Sequence, residues 1–179
     1  MASAEELPMI RSRWASDDLT PRECLSELTI RTLELADTPT LSRLLTADAE
    51  DYQRYFAPFD TSAESLSGIL AAARRDRYWG IVVDGKLVGL IMLRGFDEGY
   101  RVPAFGVFIA QAYSGKRLAK LALGYAEAWS RLSGCEAIML SVHPDNVRAR
   151  LAYERDGFQF TGEHSRLGHR VYRKALSPA

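Results

Sequence analysis

Apolar residues in the first part of the chain follow the two-residue period of β-strands. Leu28–Thr32 alternates apolar and polar positions, which is typical of a half-buried strand. Residues 78–83 and 86–94 are apolar, β-branched runs joined by an Asp-Gly pair, which favours a two-residue hairpin turn. Residues 103–109 follow as another strand candidate without an intervening helix, so the sheet is predicted to begin antiparallel.

Helical spacing of apolar residues replaces this period elsewhere. It predicts helices over residues 37–47, 63–75 and 115–132. A shorter helix follows, capped at its start by Asp145 or Asn146 and ended by Gly157.

The remaining apolar runs complete a sheet. Residues 137–142 are almost continuously apolar, as in a strand buried on both faces, and 158–162 and 169–174 are two more strand candidates. The order βαα, βββ, α, β, α, ββ predicts an α/β fold of the α+β type, with a central mixed, mostly antiparallel sheet of six to seven strands and helices on both faces. Residues 1–27 lack clean periodicity and are predicted to be an N-terminal extension or mobile arm before one domain over 28–177.

Composition narrows the class of protein. The chain has 179 residues, 47% of them hydrophobic, which is enough for one compact domain. Its 23 basic residues equal its 23 acidic ones, so no overall field favours nucleic acid or an anionic membrane. Cys24 and Cys135 stand far apart and predict neither a disulfide framework nor a zinc site, and no metal is assigned. We expect a soluble, cytoplasmic protein, either a monomer or a homodimer, because the apolar runs are too short to span a bilayer.

The start of the helix predicted over 115–132 has the chemistry of an anion site. Unpaired N–H groups and the positive end of the helix dipole meet there, beside a glycine and two basic residues. The candidate residues for binding a pyrophosphate are Ser114, Gly115, Lys116, Arg117, Leu118 and Ala119. Basic residues after a glycine are also common at ordinary helix starts, so this signal needs support from elsewhere in the chain.

A second pattern supplies that support. It consists of Asn146, Ala149, Tyr153, Gly157 and Phe158. With it, the stretch from 105 to 158 resembles the GNAT superfamily of N-acetyltransferases, whose later helix reads Asn-x-x-Ala-x-x-x-Tyr-x-x-x-Gly-Phe. The element order agrees with that fold, and the resemblance then covers roughly residues 28–175.

The cofactor loop departs from the family form, Gln/Arg-x-x-Gly-x-Gly/Ala. Ser114 stands where Gln or Arg is usual and Arg117 where Gly is usual, while Ala119 fits. Arg117 either narrows the loop or, being cationic, binds a phosphate in place of the longer side chain that is usual at position 114. Backbone donors at the helix start survive any change of side chain, so binding is expected to persist.

The resemblance implies a cofactor and a mechanism. Acetyl-CoA is expected between two splayed parallel strands, the fourth and fifth, at 105–109 and 137–142. The acceptor amine is expected to attack the thioester directly, and a backbone N–H near Val107, Phe108 and Ile109 would stabilise the oxyanion. Tyr153 is the expected general acid, with core packing as its alternative role.

Contacts on the later helix are implied in the same way. Asn146 is expected both to cap this helix and to contact the cofactor, with capping alone as the alternative, and Ala149 belongs to the same binding pattern.

The general base has the least support. Members of the family often carry a Glu on the strand before the cofactor loop, but residues 103–109 contain no acid. Glu98 in the preceding turn is the chosen candidate because it reaches further than Asp97, and a solvated or structural role is the alternative for both. His143 is a possible proton relay or an ordinary strand-end residue.

Substrate identity rests on thinner grounds. Residues 92–100 loosely resemble family members associated with amino sugars, so the expected acceptor is a primary amine of a small molecule, with a nucleotide-linked amino sugar as one form. Aromatic residues in 52–59 either line the acceptor pocket or cover the core. A protein N-acetyltransferase and a non-catalytic acyl-CoA sensor or interaction module are the alternative functions.

Overall fold

One twisted sheet of seven strands organises the computed structural model of the chain, which describes residues 25, 27–48, 52, 55–56, 58–165 and 167–176. The strands are β1 Leu28–Thr32, β2 Arg77–Val83, β3 Lys86–Arg94, β4 Ala104–Ile109, β5 Ala137–Val142, β6 Gln159–Glu163 and β7 Arg170–Ala175. They lie in the order β1-β2-β3-β4-β5-β7-β6, antiparallel except for β4 and β5. The predicted fold class is thereby confirmed. Cys24 and nearly all of the predicted extension over 1–27 lie outside the described residues.

The β2–β3 hairpin has the predicted two-residue turn. Asp84 and Gly85 both have left-handed backbone angles, with φ of 47° and 75°. Two such residues in succession make a turn whose twist matches that of the flanking strands, and Asp and Gly tolerate this conformation well.

Four α-helices flank the sheet within the described ranges. They are α1 Thr38–Thr46, α2 Ala63–Ala72, α3 Leu118–Leu132 and α4 Val147–Arg155. Leucines of α1 and α2 pack with Leu90 and Met92 of β3, whereas α3 packs with Ile91 and Leu93 on the opposite face. The prediction of helices on both faces is therefore confirmed. None of these helices is both long and apolar enough to cross a membrane.

Two helix ends differ from the predicted bounds by three residues. The second helix stops at Ala72 rather than at 75, because Ala73 already has extended backbone angles. The carboxylate of Asp97 then binds the N–H groups of Arg74 and Arg75, at 2.9 and 2.7 Å, in the segment leading to β2. The third helix begins at Leu118 rather than at 115, for the reason given below.

The parallel pair β4 and β5 diverges soon after it forms. Ala104 and Met139 are the register partners, and the Met139 N–H donates to the Pro103 carbonyl at 2.9 Å. Beyond this point β4 pairs with no described strand on that side. The sheet therefore contains a wedge-shaped gap between its two halves, as the splayed strands 4 and 5 of the expected fold require.

Candidate active site

A cleft of about 1650 Å³ occupies the gap between β4 and β5. The loop before α3 and the helix α4 form one end, and aromatic residues 52–56 with the turn after β3 form the other. We call these the carrier end and the acceptor end. Both ends open onto the edge of β4, where a reaction between two ligands could take place.

Backbone hydrogen bonding shows which groups of β4 face the gap. The Ala110 N–H donates to the Val88 carbonyl at 2.8 Å, so position 110 pairs with the β2–β3 side of the sheet. Backbone groups alternate in direction along an antiparallel strand, so the N–H and C=O of Phe108 also face β3.

The intervening positions present their backbone to the cleft. Phe105, Val107 and Ile109 have the same parity as Pro103, whose carbonyl accepts a bond from β5. The Ile109 carbonyl accepts a hydrogen bond from the Tyr52 hydroxyl at 2.8 Å. Of the three positions expected to supply an oxyanion donor, Val107 and Ile109 thus offer N–H groups to the gap, whereas Phe108 does not.

The loop before α3 contains two left-handed residues. Gly115 has φ of 78° and Arg117 has φ of 64°, so the helix cannot begin until Leu118. The first backbone bond of the helix runs from the Leu121 N–H to the Arg117 carbonyl at 3.0 Å. The N–H groups of the three residues before Leu121 are therefore without a partner inside the helix.

Most of the predicted phosphate loop lines the cleft. The lining includes Ser114, Gly115, Arg117, Leu118 and Ala119, together with Lys120. Lys116 does not line it: this exposed side chain places its ammonium 4.7 Å from the centre of the Tyr113 ring. The cationic lining of this end comes instead from Arg117 and Lys120, and from Arg148 and Arg155 of α4.

The left-handed conformation of Arg117 predicts a stability effect. The left-handed conformation costs an L-residue about 1 kcal/mol, and replacing Arg117 with glycine removes this cost. Because glycine also loses more chain entropy on folding, Arg117→Gly should raise the free energy of unfolding by only about 0.5 kcal/mol. Lys116→Gly is the matched control. Lys116 does not have a positive φ, so this variant should be less stable than the unaltered protein. Urea unfolding followed by circular dichroism measures the free energy of unfolding of both variants. A lower value for Arg117→Gly than for the unaltered protein would show that the left-handed conformation of Arg117 is not strained.

Helix α4 brings the second motif to the same cleft. The Asn146 side chain caps the helix by accepting a bond from the Ala149 N–H at 3.2 Å, and both residues line the cleft. The capping role expected of Asn146 is present, and its position on the lining leaves its amide group near any ligand held there.

Tyr153 is half-buried on the cleft wall. Its ring packs edge-on against Phe105 and Phe158, with centroids 6.5 and 5.6 Å away. Its hydroxyl forms no hydrogen bond with any residue that the structure describes. Burial, assisted by the nearby Asp156 carboxylate, raises the pKa of Tyr153 to about 12. The phenol therefore stays protonated at neutral pH and can donate its proton to a neighbouring ligand.

The two acidic candidates in the turn after β3 have different surroundings. Asp97 binds three backbone N–H groups, those of residues 74, 75 and 76, and these bonds lower its pKa. It ties α2 to the turn and does not line the cleft. Glu98 is exposed and lies on the acceptor end of the lining, so it is the acid that could meet an incoming amine.

Histidines occupy the wall near the end of β5. The His143 ring lies 5.3 Å from the ring of Tyr55 and 5.4 Å from that of His169. Its Nδ1 accepts a bond from the Asp145 N–H at 3.2 Å. Burial lowers the pKa of His169, and His143 adds to that effect. Within the described ranges no cluster of His, Cys, Asp and Glu could hold a metal ion.

Aromatic residues at the acceptor end have both of the roles considered for them. Tyr52, Tyr55 and Phe56 line the cleft. Tyr52 and Phe56 also pack edge-on or tilted against Phe108 in the core, with centroids 6.1 and 5.3 Å away. The Tyr52–Ile109 bond was not foreseen, because nothing in the sequence links positions so far apart.

The donor set suits an acyl-CoA thioester. A pantetheine arm carries amide groups that can pair with an open strand edge, and a diphosphate suits the N–H groups at the start of α3. Both features border one continuous cleft. Residues 105–109 would hold the arm and 114–120 the diphosphate.

Known proteins are similar to this chain in sequence. Residues 40–158 match the model of the acetyltransferase (GNAT) family. A spermine/spermidine N(1)-acetyltransferase of Bacillus subtilis is 34% identical over 123 residues, covering 63% of this chain and 81% of the relative. An aminoglycoside N(6')-acetyltransferase of Stenotrophomonas maltophilia is 23% identical over 145 residues, covering 71% and 90%.

Solved structures agree in fold. The PaiA N-acetyltransferase of Thermoplasma acidophilum, in complex with coenzyme A, superposes with a TM-score of 0.70 at 18% identity, over 83% of this chain and 99% of its own. A spermidine N-acetyltransferase of Vibrio cholerae, with CoA and spermine, gives 0.68 at 24% identity, over 85% and 97%. The chain therefore belongs to the GNAT family and is an acetyl-CoA-dependent N-acetyltransferase.

Proposed function

We propose that this enzyme transfers the acetyl group of acetyl-CoA directly to a primary amine of a small molecule. The observation that carries the proposal is the edge of β4 beyond Ala104, which pairs with no described strand and borders the same cleft as the Tyr153 hydroxyl. One group stabilises negative charge on a carbonyl oxygen, and the other supplies a proton to a leaving sulfur.

The bond changes assign a task to each group. The amine nitrogen forms a bond to the thioester carbon, and the carbon–sulfur bond breaks. Charge on the carbonyl oxygen is stabilised by the Val107 N–H, and the departing thiolate takes the Tyr153 proton, which solvent later replaces. The ammonium form of the acceptor must first lose a proton, and Glu98 is the proposed base, directly or through water. Once bonded to the thioester carbon, the nitrogen loses a second proton to solvent, which leaves the neutral amide.

The cleft and the relatives' names support this class of acceptor. The two curated relatives are named for polyamines and for an aminoglycoside, which have primary amines in common. Neither name supports a nucleotide-linked amino sugar, so we propose the broader class of small primary amines. The aromatic wall formed by Tyr52, Tyr55 and Phe56 suits the apolar part of such a molecule.

Release of CoA thiol tests this proposal. Purified protein is mixed with acetyl-CoA and single amines, including spermidine, an aminoglycoside, a nucleotide-linked amino sugar and 5-aminopentanoate, and products are identified by mass. We expect N-acetylation of at least one amine. Binding of acetyl-CoA with no turnover on any amine would favour the acyl-CoA sensor, and acetylated proteins alone would favour a protein acetyltransferase.

A further inference from the structure

The Arg94 guanidinium is an unusual feature of the acceptor end. Arg94 ends β3 and lines the cleft with its side chain half-buried. It lies over the Phe59 ring, 5.6 Å from the centroid, and it reaches the Pro58 carbonyl only at a long 3.5 Å. The uncharged Tyr78 hydroxyl lies beside it, and the carboxylates of Asp76 and Glu98 are near enough to act on that hydroxyl as well. Its Nε atom is buried without a hydrogen-bond partner among the described residues.

No described carboxylate forms an ion pair with this guanidinium. Glu98, four residues further on, forms no ion pair with it, and two other acids of this region, Asp76 and Asp97, bind backbone N–H groups instead. Asp76 accepts from the N–H groups of Phe96 and Asp97 at 2.8 and 3.2 Å, and Asp97 holds the segment after α2. The Phe59 ring, the Pro58 carbonyl and the Tyr78 hydroxyl replace only part of the hydration that this partly buried cation loses, since its Nε atom has no described partner. An anionic ligand group would restore that loss.

Arg94 lies within the length of a small ligand from the backbone of β4 at which the reaction is proposed to occur. Arg94 shares its face of β3 with Leu90 and Met92, the face on which the aromatic residues Tyr52 and Phe56 pack. Its partner across the sheet is Ala104, three residues before Val107 on β4, or about 10 Å at the rise of a strand. A separation of this order can be spanned by a small bifunctional molecule.

Resting on the function proposed above, we infer that the acceptor carries an anionic group, a carboxylate or a phosphate, which Arg94 binds while the amine reaches the thioester. Guanidinium groups bind both anions through parallel N–H bonds. A polyamine would place a second ammonium near this cation and be repelled. This enzyme therefore prefers acceptors whose far end is negatively charged, whereas the polyamines in its relatives' names carry positive charge at both ends.

Acceptors that differ only at the far end test the inference. 5-Aminopentanoate, 1-aminopentane and 1,5-diaminopentane end in a carboxylate, a methyl group and an ammonium. With the unaltered enzyme, kcat/KM for the carboxylate should exceed that for the methyl compound by about 10-fold or more, since hydrogen bonds to charged groups contribute at this level. An aminoalkyl phosphate in the same assay identifies which anion binds better.

Variants assign the preference to Arg94. Arg94→Gln should lower the ratio of kcat/KM for 5-aminopentanoate to that for 1-aminopentane by about 10-fold, mainly through KM. Arg94→Glu should shift the preference to the diamine. Arg101→Gln is the control, because this exposed arginine lies outside the cleft lining. A purely structural Arg94 would change all three substrates alike.

The outcomes distinguish failure of the anion subsite from failure of the proposed function. Preference for the diamine, or equal rates for all three compounds, would overturn the anion subsite while leaving amine acetylation intact. Acetylation of no amine in the wider panel would instead overturn the proposed function.

Discussion

Tyr153→Phe is expected to lower kcat by about 100-fold or more while leaving the dissociation constant of acetyl-CoA nearly unchanged. The substitution removes only the hydroxyl, whose proton we assign to the departing thiolate, and general acids contribute rate factors of this order. The ring packing against Phe105 and Phe158 is retained, so the cleft wall keeps its shape. Stopped assays at saturating substrate measure kcat, and calorimetry measures binding.

Tyr125→Phe is the matched control for this change. Tyr125 is a half-buried tyrosine whose ring packs edge-on against Trp79 at 5.2 Å, and it lies outside the cleft lining. Its loss of a hydroxyl should leave kcat near that of the unaltered enzyme. A Tyr153→Phe enzyme with full turnover would assign Tyr153 to packing alone.

The dependence of kcat on pH tests the role of Tyr153 independently of the substitution. Burial raises the pKa of Tyr153 to about 12, so the acid form persists well above neutral pH. We therefore expect no fall in kcat from loss of this proton up to about pH 10, where an ordinary phenol would be half ionised. A decline centred near that value, absent from Tyr153→Phe, would show that the hydroxyl is solvated rather than buried.

The strands were the most predictable part of the fold. Residues 137–142 form a strand with the predicted bounds, and the Asp-Gly turn folds as expected, because each depends on local periodicity or on local backbone preference. The start of α3 was displaced by three residues. Apolar spacing does not register that Gly115 and Arg117 take left-handed angles, although the resemblance pointed to glycine at position 117.

The acceptor end could not be derived in the same way. The Tyr52–Ile109 bond, the approach of Arg94 to Pro58 and the three N–H groups bound by Asp97 join segments far apart in the chain. Such contacts follow from how the sheet places its edges, and no local pattern encodes them. Motif spacing pointed to the carrier end because its backbone N–H donors lie within a few consecutive residues, so a local pattern is enough to indicate them.

Replacing the Val107 amide by an ester is expected to lower kcat by about 100-fold. Incorporating the α-hydroxy acid analogue of valine at position 107 substitutes oxygen for the N–H and retains the side chain. That N–H faces the gap rather than β3, so the sheet loses no hydrogen bond. The reaction loses the donor that we place against the developing oxyanion, so kcat falls, whereas the melting temperature falls only slightly because the ester carbonyl of residue 106 still accepts its bond from β3, though more weakly.

The same replacement at Phe108 separates catalysis from folding. The Phe108 N–H pairs with β3, so its ester removes a bond of the ladder and should lower stability by about 1 kcal/mol with little effect on kcat. Thermal unfolding and single-turnover rates on both proteins distinguish the two positions. Equal rate losses at 107 and 108 would mean that strand geometry, rather than one N–H aimed into the gap, governs the chemical step.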